Sequence, residues 1–285
     1  MNQNQSGILY ICGTPIGNLD DMTFRAVRVL QEATLIAAED TRHTRKLLTH
    51  FAIHTPLVSY HEHNKASVGP QLIERLLAGE TIAVVSDAGM PGICDPGADL
   101  VGLAIGAGIQ VTPVPGANAA LCALVASGLD TRSFLFAGFL PKTAKKRREV
   151  LSRLAGCEQT LLFYESPHRV KATLAELTRA FGPRPAVAGR ELTKKFEQFV
   201  RGDLASLTEH FAVTEPRGEF TIVVAGQNGG AEPEPADPVE PADLALAVAR
   251  LVEAGANKKD AIRKVASERG LSRREVYNSV LDDRD

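Results

Sequence analysis

The stretch TIAVVSDAGMPGICDPG, residues 81–97, joins a short apolar run to a loop dense in glycine and proline. This run predicts a buried strand, because it is short and apolar and ends at turn residues. Open α/β sheets bind ligands in constrained loops at the carboxyl ends of such strands, and this loop carries Asp87 and Asp95. The loop PVPGANAA, residues 113–120, has the same character and opens a helix. An ordinary structural loop has a similar composition, so it is the pair of loops that indicates a binding site.

The sequence around these loops has the pattern of an α/β protein. Short apolar runs alternate with helix-like segments, which is typical of βαβ units and a parallel sheet. The first set of expected strands lies at 8–12, 35–38, 57–59, 82–86 and 109–114. A second set begins at Phe134 and continues at 161–164, 186–188, 196–200 and 220–225, which predicts another α/β domain with a more mixed sheet. Proline and glycine after Val114 separate the sets, so we expect an N-terminal domain over residues 1–114 and a second domain over residues 115–227.

The last part of the chain has a different composition. Residues 228–243, NGGAEPEPADPVEPAD, contain four prolines and five acidic residues, which predicts an extended linker over residues 228–241. Residues 242–285 have the apolar spacing of three short helices. Within them, residues 257–274 hold seven basic residues against two acidic ones, which indicates a phosphate-binding surface. A solvated helical face would show the same charge pattern.

The overall composition excludes several classes of protein. Hydrophobic residues make up 44% and charged residues 23% of the 285 residues, so the chain is neither fibrous nor wholly disordered. The net charge of −2 means that nucleic-acid binding must depend on local basic patches. The four cysteines form no CxxC pair, and no apolar run approaches the roughly 20 residues of a membrane span. These features favour a cytoplasmic location.

Several well-known catalytic motifs are absent from the sequence. Gly13 and Gly17 lack the GxGxxG spacing of a dinucleotide site, and the chain contains neither a P-loop nor a GxSxG elbow. His61 and His63 flank a glutamate without an evident third ligand, so we expect no metal. Nicotinamide, nucleotide-hydrolysis and covalent hydrolase chemistry therefore have no support.

Charged residues in the second half suggest a charged cleft and a polyanion surface. Glu165 and Arg169 follow one apolar run, and Arg190 and Glu191 end another, although a structural ion-pair network would give the same pattern. The segment LPKTAKKRREVLSR, residues 140–153, has six basic residues and one acid, so it would attract a polyanion.

Five motifs, in order along the chain, resemble those of the tetrapyrrole-methylase superfamily and, within it, of bacterial enzymes that methylate a ribose 2′-oxygen of 16S rRNA. They are TPIGNL (14–19), AAEDTRHT (37–44), SDAG with Pro91 and DPG (86–97), FYESPHR (163–169) and RELTK (190–194). The small basic helical tail also matches. The resemblance implies S-adenosylmethionine held in a cleft between two α/β domains, and a decoding-centre cytidine of the small ribosomal subunit as the target. It further implies a homodimer, with neither a membrane nor DNA as partner.

The resemblance also carries over site residues, position by position. The implied cofactor cleft is lined by Pro15, Gly17, Asp87, Ala88, Gly89, Met90, Pro91, Gly116, Ala117, Asn118, Ala119, Tyr164 and Leu192. The candidates for removing or orienting the hydroxyl proton are Asp87, Glu165, Glu191 and Lys194. The candidates for RNA binding are Arg42, His43, Lys142, Lys145, Lys146, Arg147, Arg148, Arg169, Arg190, Lys258, Lys259, Arg263, Arg273 and Arg274.

The sequence departs from the family pattern at three places. Gly13 stands where proline is common, Met90 where threonine is common, and Ala117-Asn118 where proline followed by serine or cysteine is common. Met90 has no hydroxyl with which to reach the cofactor or the substrate. If the family uses that hydroxyl, affinity or target choice differs in this chain, whereas little changes if the family uses the backbone at this position.

Two alternatives to rRNA methylation stay open at this point. One is a methyltransferase of the same superfamily that acts on a tetrapyrrole or on a protein side chain. The other is an RNA-binding assembly factor that binds S-adenosylmethionine without turnover. The basic tail and the basic segment at residues 142–153 favour RNA over a tetrapyrrole.

Overall fold

The computed structural model describes residues 6–227, 241–253, 255–269 and 273–282, apart from some side chains of the last three helices. The chain forms two compact units, residues 1–230 and residues 231–285. The strands are β1 (Ile8–Cys12), β2 (Leu35–Ala38), β3 (Leu57–Ser59), β4 (Ile82–Val85), β5 (Gln110–Val114), β6 (Phe134–Phe139), β7 (Thr160–Glu165), β8 (Pro185–Arg190), β9 (Gln198–Asp203) and β10 (Phe220–Val224).

Eleven described helices accompany the strands, and a short 3-10 turn at Leu19–Asp21 precedes the first of them. The helices of the larger unit are α1 (Phe24–Glu32), α2 (Thr41–His50), α3 (Lys65–Leu77), α4 (Gly97–Gly106), α5 (Ala119–Ser127), α6 (Ala144–Leu154), α7 (Val170–Phe181) and α8 (Leu204–Val213). Those of the smaller unit are α9 (Pro241–Glu253), α10 (Lys258–Arg269) and α11 (Arg273–Asp282). None of the described helices is both long and apolar enough to cross a membrane.

The first sheet is wholly parallel, with the strand order β3-β2-β4-β1-β5. Helices cover both faces: α1 and α2 contribute Leu30 and Leu48 to the core on one side, and α3 and α4 contribute Leu72 and Leu100 to the core on the other. Burial on both faces explains why the inner strands β2 and β4 are continuous apolar runs. Since β4 and β1 are neighbours, the loops that follow them leave the same edge of the sheet side by side.

The second sheet is mixed, with the order β6-β7-β10-β8-β9 and only the β6–β7 pair parallel. One face packs on α7 and α8 around Phe163 and Leu174. The other face packs on α5 and on Ile16, which comes from the loop after β1. The predicted fold class, a parallel sheet followed by a mixed one with helices, is therefore confirmed.

Strand bounds agree with the sequence predictions within one or two residues for most strands. The main difference is β9, which begins at Gln198 rather than at Phe196 and runs on to Asp203. Residues before it form turns, in which Glu191 and Thr193 adopt positive φ angles of 49° and 66°. Phe196 is 65% exposed, because the chain has not yet joined the sheet at that point. The predicted domain division after Val114 lies between the last strand of the first sheet and the first strand of the second.

The smaller unit contains three helices, as the apolar spacing predicts. They enclose their own core, to which Leu244, Val248, Ile262, Val265 and Val276 contribute. The predicted linker, residues 228–241, lies outside the described residues except at Pro241, where α9 begins.

Candidate active site

A cavity of about 450 Å³ lies between the two sheets of the larger unit. One wall is the loop after β4, residues 86–95, and the opposite wall combines the N-terminus of α5 with the ends of β7 and β10. Ile16, Glu39, Phe139 and Leu192 complete the lining. The volume falls within the range of small-molecule sites, which is about 300–1,000 Å³. The cavity therefore occupies the edge of the sheet at which the sequence predicts a ligand.

The loop after β4 is held by backbone pairing. Thr14 and Gly89 exchange two backbone hydrogen bonds of 2.9 and 3.1 Å, which ties this loop to the loop after β1. Asp95 accepts the backbone N–H groups of Gly92 and Gly97 at 2.9 and 2.8 Å. Gly89 and Gly92 have φ angles of 78° and 83°, a conformation that glycine adopts without strain. The glycines and Asp95 of this loop therefore shape the cavity wall.

Aromatic rings form the wall contributed by the second sheet. The Tyr164 ring lies edge-on to Phe136 and Phe139, with centroids 4.9 and 5.7 Å apart. The backbone N–H of Ala120 donates a hydrogen bond of 3.1 Å to the Tyr164 hydroxyl, and burial raises the pKa of that hydroxyl. Tyr164 thereby links the start of α5 to β7 and presents an apolar face to a ligand.

The charge of the cavity wall is negative. Five lining residues carry carboxylates, and none of the described lining residues is lysine, arginine or histidine. The acidic residues are Glu39, Asp87, Asp95, Glu165 and Glu219. A wall of this sign attracts a ligand with a positive centre.

The residues that the family resemblance assigns to the cofactor fall into three groups in the structure. Those that line the large cavity are Asp87, Ala88, Gly89, Met90, Asn118, Ala119, Tyr164 and Leu192. Pro15 and Gly17 line a separate, smaller cavity, which Asp87 also borders. Pro91, Gly116 and Ala117 are absent from the lining of both cavities. The large cavity thus brings together most of the predicted set, and the first loop contributes Ile16 to it instead of Pro15 and Gly17.

Two of the departures from the family pattern are in contact with each other. A Cβ atom at Gly13 would lie 2.7 Å from the Sδ of Met90 and 2.7 Å from the Cα of Gly116. The missing side chain at residue 13 therefore makes room for the longer side chain at residue 90. In the third departure, the Asn118 side chain accepts the backbone N–H of Leu121 and caps α5.

Glu165, one of the four proposed proton acceptors, is committed to structural partners. Its side chain is fully buried and accepts hydrogen bonds from the Thr173 hydroxyl at 2.7 Å and the Ser166 backbone N–H at 2.8 Å. Arg169 lies 3.5 Å away and donates a further hydrogen bond to the Leu140 carbonyl. This arrangement satisfies a buried charge, so Glu165 and Arg169 fit the alternative of a structural ion-pair network.

Glu191 and Lys194 form an ion pair, with 2.9 Å between the charged atoms, and Lys194 also contacts Glu219 at 2.8 Å. Burial raises the pKa of Glu191, but hydrogen bonds from Lys194 and from the Glu219 backbone outweigh it and lower the pKa overall. Burial likewise lowers the pKa of Lys194, and its two carboxylate partners raise it overall. Lys194 is therefore protonated at neutral pH and cannot accept a proton.

Asp87 and Glu39 are cavity carboxylates with few hydrogen bonds to the rest of the protein. Asp87 accepts one hydrogen bond of 3.0 Å, from the backbone N–H of Asp40. Glu39 has no hydrogen bond to any residue that the structure describes, and burial raises its pKa. Asp87 and Asp95 raise that pKa further, whereas His61 lowers it. A half-buried carboxylate with a raised pKa and free lone pairs is suited to accept a proton.

Glu39 is a catalytic candidate that sequence reasoning missed. In the sequence, Glu39-Asp40 ends the second strand, where an acid could bind a ribose hydroxyl in a classical nucleotide-binding fold. That signal is weak here, because the glycine fingerprint of such folds is absent. The signal that could have identified Glu39 is its position directly after β2. Because β2 is the neighbour of β4 in the sheet, the carboxyl end of β2 lies beside the loop at residues 86–97.

Some of the basic residues proposed for RNA binding are exposed, and others contact neighbouring residues. The exposed ones in the larger unit are Arg42, His43, Lys142, Lys145, Lys146 and Arg148, and Arg42 pairs with Asp40 at 2.8 Å. Lys258, Lys259 and Arg263 are exposed in the smaller unit, and Arg263 pairs with Asp260. The side chains of Arg273 and Arg274 lie outside what the structure describes. Arg190 donates to the Arg217 carbonyl at 2.6 Å.

Arg147 departs from the rest of the basic segment. Its guanidinium forms a two-point ion pair with Glu176 of α7, one contact of which is 2.7 Å, and it donates to the carbonyls of Pro141 and Lys142. The pair is only 16% and 23% exposed. Arg147 therefore joins α6 to α7, whereas Lys142, Lys145, Lys146 and Arg148 are exposed and free to face a polyanion.

We expect Arg147→Gln to lower the midpoint of thermal unfolding by a few degrees, because Glu176 loses its partner in a mostly buried site. RNA affinity at a temperature where the variant is folded should stay unchanged. Arg148→Gln is the matched control and should show the reverse, with unchanged stability and weaker RNA binding. Thermal unfolding and filter binding measure both. Weaker RNA binding in Arg147→Gln with unchanged stability would contradict the structural role.

Comparison with known proteins shows the family to which the chain belongs. The family model of tetrapyrrole (corrin/porphyrin) methylases matches residues 8–208. A protein named ribosomal RNA small subunit methyltransferase I from Halalkalibacterium halodurans is 50% identical over 281 residues, which are 97% of this chain and 95% of that protein. Its namesake from Bacillus subtilis is 46% identical over 277 residues, again 97% and 95%.

Among solved structures, the uroporphyrin-III C-methyl transferase from Thermus thermophilus complexed with S-adenyl homocysteine has the same fold. The TM-score is 0.53 at 19% identity, over 77% of this chain and 97% of that one. The matched family region includes the first sheet and every strand of the second sheet except β10, and the match to the relatives covers 97% of this chain. The chain belongs to the tetrapyrrole (corrin/porphyrin) methylase family, as its five motifs predict.

Proposed function

We propose that the protein transfers a methyl group from S-adenosylmethionine to the ribose 2′-oxygen of a decoding-centre cytidine in 16S rRNA. The observation that carries this proposal is the 43–50% identity, over nearly the whole chain, to proteins named ribosomal RNA small subunit methyltransferase I. Methylation of small-subunit rRNA with S-adenosylmethionine follows from those relatives and the family fold. The 2′-oxygen and the cytidine rest on the motif resemblance.

The large cavity fits S-adenosylmethionine on three observations. Its volume of about 450 Å³ suits a ligand of that size. Tyr164 and Phe139 offer aromatic faces to an adenine ring or to the sulfonium. The carboxylates of Asp87 and Asp95 complement positive charge. When bound there, S-adenosylmethionine supplies an electrophilic methyl group that needs no metal to react.

The residues of the chain align the acceptor oxygen and receive its proton. The fixed backbone of residues 86–89 limits the positions open to a ribose that enters beside Asp87, which supplies the alignment that an in-line displacement requires. The Glu39 carboxylate would accept the hydroxyl proton as the carbon–oxygen bond forms and the methyl–sulfur bond breaks, with S-adenosylhomocysteine as the leaving group. A carboxylate is a weak base for an alcohol, so hydrogen bonding that orients the hydroxyl contributes as well.

RNA is held by exposed basic side chains on α6 and α10 in this proposal. Lys145, Lys146 and Arg148 lie on α6, and Lys258 and Lys259 begin α10. A 2′-hydroxyl acceptor explains why the substrate is RNA rather than DNA.

We also expect a homodimer that acts in the cytoplasm. The exposed apolar side chains of Leu121 and Val125 on α5 provide a surface for a second copy.

Deletion of the helical tail after Glu240 should weaken binding to small subunits by about tenfold, because it removes several phosphate contacts. Binding of S-adenosylmethionine should stay unchanged, since the tail has its own core. Filter binding at two salt concentrations is the measurement, and the truncated protein should also show a shallower salt dependence. Equal affinity and equal salt dependence for both proteins would contradict a role of the tail in RNA binding.

The substrate class is tested by methyl transfer from labelled S-adenosylmethionine to small subunits, large subunits, free rRNA and a tetrapyrrole. We expect label only in RNA of the small subunit, in a form that protects one phosphodiester bond from alkaline cleavage. Label in the tetrapyrrole or in ribosomal protein would support the corresponding alternative. Cofactor binding without any transfer would support a binding factor.

A further inference from the structure

A second cavity of about 240 Å³ lies next to the large one and is not needed to hold the methyl donor. It is formed by the loop after β1 and by the first turns of α2. Its lining residues are Thr14, Pro15, Gly17, Leu19, His43, Thr44, Lys46, Leu47, Ser86 and Asp87. Ser86 and Asp87 line both cavities, so a ligand in the second cavity would lie beside a ligand in the first.

Thr44 is an unexplained polar group in this cavity. Its side chain belongs to a residue that is only 2% exposed, and its hydroxyl has no hydrogen-bond partner among the residues that the structure describes. A threonine in a helix commonly donates its hydroxyl to the carbonyl one turn earlier, but Thr44 does not. Since a buried polar group without a partner is costly, rotation of the Thr44 side chain towards the cavity would let its hydroxyl pair with a ligand atom.

The charges of the two cavities differ. The large cavity has five carboxylates and, among its described lining residues, no cation. In the second cavity Lys46 balances the single carboxylate of Asp87, which it shares with the large cavity, and His43 adds a hydrogen-bonding group. A cationic donor therefore suits the first cavity, and the Lys46 side of the second suits an anionic group such as a phosphate.

We propose that the second cavity is the acceptor pocket, which holds the target nucleotide with its phosphate towards Lys46 and His43 and its ribose at Ser86–Asp87. The Thr44 hydroxyl hydrogen-bonds to a polar atom of that nucleotide. This inference rests on the proposed function, and it names the site at which the RNA substrate enters. It also gives Pro15 and Gly17 a role on the acceptor side instead of in the cofactor cleft.

The phosphate contact is tested with Lys46→Gln and with Arg45→Gln as its matched control. Both residues are exposed on α2 and lose one positive charge, but only Lys46 lines the cavity. We expect the KM for small subunits to rise about tenfold in Lys46→Gln and to stay near the wild-type value in Arg45→Gln. The KM for S-adenosylmethionine should not change in either variant.

The orphan hydroxyl is tested with Thr44→Val, which replaces it with a methyl group of similar size. A purely structural Thr44 predicts equal or higher thermal stability with unchanged kinetics, because the hydroxyl has no protein hydrogen bond to break among the described residues. The acceptor pocket predicts the same stability result together with a severalfold higher KM for small subunits. Thermal unfolding ensures that a folding defect is not mistaken for a binding effect.

Titration with cytidine 5′-monophosphate separates this inference from the proposed function. Failure of wild-type protein to methylate any small subunit overturns the proposed function, whereas the nucleotide titration still tests the pocket. We expect the nucleotide to bind wild-type and Arg45→Gln proteins alike and to bind Lys46→Gln and Thr44→Val more weakly. No binding to the wild type, or the same affinity and the same KM in all four proteins, overturns the acceptor pocket.

Discussion

Glu39→Gln is expected to lower kcat for methyl transfer by about 10²- to 10³-fold, which lies within the usual contribution of a general base. The affinity for S-adenosylmethionine should change little, because glutamine has nearly the same shape and Glu39 has no protein partner among the described residues. Single-turnover kinetics with small subunits and calorimetry with S-adenosylmethionine measure the two effects separately.

The pH dependence gives this prediction a second readout. Burial and the neighbouring carboxylates of Asp87 and Asp95 raise the pKa of Glu39 above its ordinary value of 4.5. A protonated Glu39 cannot accept a proton, so kcat should fall as the pH drops through this raised pKa. In Glu39→Gln the acidic limb of the pH profile should disappear.

Glu32→Gln is the matched control, since Glu32 is exposed at the end of α1 and outside both cavities. It should keep the wild-type kcat and the wild-type pH profile. Glu39→Asp should recover part of the activity by keeping the carboxylate. A wild-type kcat in Glu39→Gln, or an acidic limb that persists in this variant, would show that Glu39 does not accept the proton. Asp87 would then be the candidate for that role.

Gly13→Ala is expected to lower the affinity for S-adenosylmethionine by about 100-fold or to prevent folding of the site. A Cβ at residue 13 would lie 2.7 Å from the Gly116 Cα and 2.8 Å from the Gly116 nitrogen, and these backbone atoms cannot turn aside as a side chain can. The loops after β1 and β5 would have to separate, which would displace the N-terminus of α5 from the large cavity. Calorimetry and thermal unfolding record the two consequences.

Gly102→Ala is the control for this change. Gly102 is exposed within α4, and a Cβ there would meet nothing within 4 Å. It should keep wild-type affinity and gain about 0.5–1 kcal/mol of unfolding free energy, because alanine favours a helix over glycine. Wild-type affinity in Gly13→Ala would show that the two loops are free to shift, and would contradict a cavity shaped by their close contact.

The first sheet could be predicted well from the sequence because its inner strands, β2, β4 and β1, are largely buried on both faces. Such strands are short, continuous apolar runs that end at turn residues, and β1, β2 and β3 match their predicted bounds. The predicted start of β9 was wrong because residues 191–197 form turns with positive φ angles at non-glycine residues. Apolar character alone does not distinguish such a turn from the start of a strand.

The walls of the large cavity were also predictable in part. The loop at residues 86–97 and the start of α5 stand out by their glycine content and by their positions after strands. What the sequence does not reveal is which charged side chains are already paired. Arg147 pairs with Glu176 and Lys194 with Glu219, 29 and 25 residues away, and only the packing of helices and turns brings these groups together. The two cavities that Asp87 borders also form only when segments distant in the sequence pack together.

We expect the protein to form a 2′-O-methylcytidine in small-subunit rRNA. Small subunits that lack ribose methylation are treated with the wild-type protein and S-adenosylmethionine, and the RNA is digested and analysed by mass spectrometry of nucleosides and of oligonucleotides. We predict one new 2′-O-methylcytidine, at a single position in the decoding centre. A methyl group on a base, on another nucleoside or on protein, with the subunits otherwise competent, would contradict the claim.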